Sequence, residues 1–125
     1  MSSPANSIVI PATPGAPVAC DMTTAPDTPE ERVAEYGRLF AHALVARERT
    51  DRGVVLTFAA KPGVQEWIVD LVAREAACCP FFSYGIEHRD GQIVWSMSTD
   101  AGPAAQAMLD ELYAGPESFT RPAEP

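Results

Sequence analysis

Three residues at the end of one apolar stripe, Glu75, Cys78 and Cys79, carry the chemistry this chain announces most plainly. Continuing the three- and four-residue spacing of Val64, Trp67, Ile68, Leu71 and Val72 leads to Glu75, then to the paired cysteines, and Pro80 follows at once. A carboxylate therefore falls on the face that a helix should bury, one turn before two thiols. Thiolates select soft ions such as Cu(I) and Zn(II), and by the same softness Hg(II) and As(III). Adjacent cysteines suit a low-coordinate ion better than a tetrahedral one, particularly with a third thiol, and Cys20 is the remaining cysteine of the chain.

The elements that must position these residues can be read in order. Thr28-Pro29-Glu30-Glu31 is a capping box with proline at the first helical position. It opens a first helix whose apolar face is Val33, Tyr36, Phe40, Ala43 and Leu44, and which is expected to run to about Arg49. Thr50-Asp51-Arg52-Gly53 stops it, and Val54 to Phe58 reads as a strand. The second helix starts near Pro62 or Gly63, with Asp70 and Arg74 off its stripe and expected in solvent. Its end is set by Pro80, because the residue before a proline avoids the α region.

Asp90-Gly91 is a strong two-residue hairpin signal between strands at 81–88 and 92–98. That turn opposes Arg89 to Gln92, Ile86 to Trp95, Tyr84 to Met97 and His88 to Ile93. Phe82, Tyr84, Ile86, Ile93, Trp95 and Met97 then share the core face, and Ser83, Glu87, Ser96 and Ser98 the wetter one. A last helix follows Asp100 as its cap and Pro103, covering the sheet with Ala104, Ala107, Met108, Leu112 and Tyr113. The fold class expected is α+β, in the order α-β-α-β-β-α, with three helices packed on an antiparallel sheet of about three strands.

Residues 1–17, rich in proline, are expected to be a flexible leader, 18–114 a single domain and 115–125 a flexible tail. The 125 residues suffice for one modest core. With 9 basic against 17 acidic residues and a net charge of −8, a nucleic-acid footprint is excluded. No apolar run approaches the ~20 residues that cross a bilayer, and no signal-peptide core is present, so a cytoplasmic location is expected. In that compartment an odd count of three cysteines favours reactive or metal-binding thiols over a disulfide framework.

Rival readings of the site differ in what they require. The cysteines can simply pack as small hydrophobes, although two adjacent ones point about 100° apart and both need apolar seats. Zinc bound by three cysteines and a histidine is disfavoured. His88 lies nine positions beyond Cys79 along a strand, roughly 25–30 Å away, and His42 falls off the apolar face. A redox role is weakened because a vicinal disulfide closes a strained ring and a helix C-terminus does not lower a thiol pKa. Cys20 reaches the pair only if the linker before the first helix runs back along the domain.

At Glu75-x-x-Cys78-Cys79-Pro80-Phe81-Phe82 the chain resembles a family of small bacterial proteins with a Glu-x-x-Cys-Cys-Pro-Phe signature, a hairpin and a closing helix. The module is similar to one fused behind MerR-type heavy-metal-responsive regulators, and Cys20 resembles a cysteine those proteins carry before their first helix. The resemblance covers roughly 18–114 and implies a heavy-metal or metalloid context for Cys20, Glu75, Cys78 and Cys79. A weaker likeness, through Cys20-Asp21 and Cys78-Cys79-Pro80-Phe81-Phe82, is to organomercurial lyases, in which thiols hold mercury while an acid protonates carbon.

The expectation is thus a soft-metal or metalloid (Hg, As, Cu) binding or buffering protein with Cys78 and Cys79 as ligands, Cys20 as third thiol and Glu75 beside them. Its partner is the ion itself, with no nucleic acid and no membrane, and a homodimer stays open. The alternatives are a carbon–mercury lyase using Asp21 and Glu75 as catalytic groups, and a sensing or interaction module with structural cysteines.

Overall fold

The capping box forms as its residues dictate. The Thr28 hydroxyl accepts from the Glu31 N–H at 3.1 Å, and the Glu31 carboxylate accepts from the Thr28 N–H at 2.9 Å. The computed structural model describes residues 7–115. A short strand β1 (Ser7–Ile10) precedes this capped helix α1 (Pro29–Ala43). Then come β2 (Leu44–Arg49), β3 (Gly53–Ala59), α2 (Val64–Cys78), β4 (Ser83–Arg89), β5 (Gln92–Ser98) and α3 (Pro103–Ala114). The class is α+β, with three helices and one antiparallel sheet, ordered β1-β4-β5-β3-β2, among the described residues.

Two strands exceed the sequence expectation. α1 stops at Ala43, not at Arg49, and the Leu44 N–H closes it on the Phe40 carbonyl. Residues 44–49 have helix-forming side chains, but they pair with β3 from Leu44↔Phe58 to Arg49↔Val54. A sheet edge offers this segment a full ladder of partners, and tertiary pairing overrides a weak local preference. Arg49 then ties the hairpin to α3 through Asp110 (2.9 Å) and the Gln106 side chain (2.5 Å).

The second extra strand lies inside the stretch expected to be a flexible leader. Ser7–Ile10 is β-prone and docks on β4, from Ser7↔Glu87 to Ile10↔Tyr84, until Pro11 ends it. Beyond it, the Ala12 N–H meets the Ser83 hydroxyl, and the Thr13 N–H meets the Pro80 carbonyl at 2.8 Å. Ala16, Val18, Met22 and Ala25 pack partly against the core. This segment is a strap, and proline content marked only its irregular shape. Residues 1–6 and 116–125, the rest of the expected leader and nearly all of the expected tail, lie outside the described residues.

The hairpin forms as its turn requires. Asp90 and Gly91 take φ of 53° and 74°, the left-handed pair of a two-residue turn. The register pairs Tyr84 with Met97, Ile86 with Trp95 and His88 with Ile93. Trp95, Phe58, Leu56 and Ile93 are fully buried on the covered face, and Phe82, Tyr84, Ile86 and Met97 are buried with them. α3 presents Leu112 to the core as expected and Met108 in part, but Ala105 and Leu109 take the places expected of Ala104, Ala107 and Tyr113, which are exposed. Gly102, not Asp100, occupies its cap position. Asp100 pairs instead with Arg52 across the sheet end.

Candidate functional site

Helix α2 delivers its last turn where the sequence places it. Val64, Ile68, Leu71 and Val72 are buried along its length, and Cys78 closes it at 5% exposure. The Cys79 N–H caps on the Glu75 carbonyl at 2.7 Å, and the chain then bends at Pro80. Tyr84 anchors the bend by donating its hydroxyl to the Cys79 carbonyl at 3.0 Å. Phe81 and Phe82 are buried beside it with ring centres 4.4 Å apart.

The linker before α1 does run back along the domain. The Asp21 N–H meets the Cys78 carbonyl at 3.0 Å, and Cys20 is bonded to Cys79 in a disulfide with Cα atoms 4.6 Å apart. The expectation of three free thiols is corrected on this point: Cys20 and Cys79 are paired, and Cys78 is the free, buried one. Cys20 thus reaches the pair from 59 positions away, as a bonded partner of Cys79 and not as a third free thiol. Cys20 lies on the exposed side of the bond and Cys79 on the buried side.

Glu75 faces inward and is answered by a cation the sequence reading missed. Arg32 is 3% exposed and donates to Glu75, while its Nε and Nη2 grip both Asp27 oxygens at 2.6 and 2.8 Å. A buried carboxylate needs such a partner. The signal was present: Arg32, Tyr36, Leu39, Phe40 and Ala43 are the buried positions of α1, so the true stripe runs through Arg32 while Val33 stays half-buried. Arg74 is likewise no solvated side chain, since it bridges Asp27 (3.1 Å), Glu35 (2.7 Å) and Asp70 (2.8 Å). The Trp67 indole N–H adds a bond to Glu35 at 2.7 Å.

These contacts set the local electrostatics. Hydrogen bonds from Arg32 hold the Asp27 carboxyl down at about 2, against an opposing push from burial. Burial first, then the Glu75 charge and hydrogen bond, raise the Tyr36 phenol well above its ordinary value. Tyr84 is raised by burial and by the Glu75 and Cys78 charges. Asp21 stands apart: the Thr23 backbone N–H and hydroxyl hold its exposed carboxyl below the ordinary value.

A cavity of about 100 Å³ opens beside the disulfide, and its wall includes Cys20, Cys79, Glu75, Tyr36, Met97 and Met108 but not Cys78. A larger cleft of about 230 Å³ lies between residues 12–16 and 98–101 and contains no cysteine. Among the described residues no three Cys, His, Asp or Glu side chains converge as a metal cluster. His88 sits on β4 opposite Ile93, and His42 is exposed near Trp67, so neither histidine joins the thiols. No helix among the described residues is long and apolar enough to cross a membrane. Comparisons with protein-family models, curated proteins and solved structures give no match to this chain.

Proposed function

We propose that the protein binds a soft metal or metalloid ion through the thiols of Cys20 and Cys79, and that their disulfide is the oxidised, ion-free form. The observation that carries this reading is the meeting of these two cysteines at the wall of a small, largely apolar cavity. A dithiol reductant opens the bond: it gives two electrons and two protons to the sulfurs and leaves as its own disulfide. A divalent soft ion such as Hg(II) then displaces two thiol protons and bridges the two sulfurs. A pair of thiolates without imidazole favours such low-coordinate soft ions over zinc, whose structural sites take four ligands. The Glu-x-x-Cys-Cys-Pro-Phe resemblance points the same way.

The lyase alternative asks Asp21 or Glu75 to give a proton to carbon. Asp21 is kept ionised by Thr23, and Glu75 is engaged by Arg32, which leaves neither as the natural acid. A thiol-exchange role is the second reading, favoured by a disulfide with one exposed and one buried cysteine. The reduced protein is expected to bind one Hg(II) per chain, with binding lost in Cys20→Ser and Cys79→Ser and retained in Cys78→Ser. Unchanged stoichiometry and affinity in the first two variants would remove the proposal. Catalytic turnover of a disulfide substrate by wild type, without ion binding, would favour exchange instead.

A further inference from the structure

The cavity beside the disulfide is walled by two cysteines and two methionines. We propose that Met97 and Met108 contribute thioether sulfur to the reduced site, so that the ion it selects is Cu(I). The inference rests on the reading of Cys20 and Cys79 as ion-binding thiols and adds ligands from two other elements.

Met97 stands on β5 opposite Tyr84, 4% exposed, and reaches the cavity from the sheet. Met108 is half-buried on α3 and closes the cavity from the helical layer. A leucine would fill either space, but a thioether adds a soft, polarisable donor on a flexible stem. Thiolate with thioether is a donor set that selects Cu(I) among the biological soft ions. No imidazole lines the cavity, and Cys78, the third thiolate that a three-thiolate ion would demand, does not line it either.

Two thiolates and one Cu(I) leave a single net negative charge at the site. Binding displaces the two thiol protons and changes no oxidation state, so the reduced protein needs only the ion.

The test uses the full chain, reduced under anaerobic conditions, titrated with Cu(I) against a competing chelator. Met97→Leu with Met108→Leu conserves volume and is expected to weaken Cu(I) binding at least tenfold while leaving the Hg(II) stoichiometry unchanged. Selenomethionine-labelled wild type needs no substitution and guards against a misfolded variant: adding Cu(I) should produce a copper neighbour at the selenium absorption edge. Wild-type Cu(I) affinity in the double variant, or no copper neighbour at selenium, would overturn the thioether assignment. If Cys20→Ser and Cys79→Ser nevertheless abolish binding, the thiol reading survives that result. If those two variants retain full affinity for both ions, the thiol reading fails and this inference with it.

Discussion

Replacing Cys20 by serine removes the disulfide at its exposed end and leaves the buried Cys79 side chain in place. The bond closes a loop with a sequence separation of 59, so loss of its constraint on the unfolded chain should cost up to about 4 kcal/mol by loop-closure entropy. For a domain of about 100 residues a loss of that size lowers the melting midpoint by roughly 15 °C or more. Trp95, Phe58 and Leu39 are fully buried and none of them lines the cavity beside the bond, so the variant should stay folded at 25 °C and keep its near-ultraviolet dichroism. Urea and thermal unfolding of wild type, with and without dithiothreitol, and of Cys20→Ser should give two matched curves and one shifted curve. Thiol titration of native, unreduced wild type should find one thiol only after denaturation, that of Cys78. A shift below about 0.5 kcal/mol, or three titratable thiols in the unreduced protein, would refute the account. An unfolded reduced chain would also remove the basis for ion binding in the reduced state.

Arg32→Met should cost about 3–5 kcal/mol, because it leaves Glu75 and Asp27 without their shared buried cation; urea midpoints check this, and a loss under about 1 kcal/mol would count against it. Asp27 predicts the acid limb of stability. Its folded value of about 2 lies below the ordinary 3.8, so its contribution is full above pH 4 and is lost as the pH falls through 2. After allowance for solvent screening that contribution is about 1–2 kcal/mol, and Asp27→Asn should flatten the dependence over this window. Gly53→Ala should destabilise strongly, since a Cβ there would stand 2.1 Å from the Met97 carbonyl oxygen; unfolding midpoints unchanged from wild type would contradict the tight β3–β5 approach.

What the sequence disclosed depended on how local the determinant was. The β4–β5 register was legible because Asp90-Gly91 admits one short turn, and that turn fixes every pairing behind it. The α2 stripe was legible because Val64, Ile68, Leu71 and Val72 repeat at helical spacing. The edge strands were not, since Leu44–Arg49 and Ser7–Ile10 become strands only through the neighbours they dock against. At the site, the Glu75 to Cys79 turn was readable, and the inward Glu75 announced a missing partner. That partner, Arg32, comes from α1, and the partner of Cys79 comes from the strap; both are meetings across the chain that no spacing encodes.

The strap has a consequence for how the disulfide opens and closes. Its backbone bonds from Thr13 to Pro80 and from Asp21 to Cys78 flank Cys20 and do not involve either sulfur. When the bond is reduced, these bonds should still hold Cys20 against the end of α2. Each thiol then faces the other at a high effective concentration, of at least the millimolar order of a short tether. A monothiol that attacks the disulfide is therefore expelled by the neighbouring cysteine before a second molecule arrives. A dithiol or a bound ion holds the pair open, which makes occupancy of the site respond to the reductant's valency as well as to its concentration.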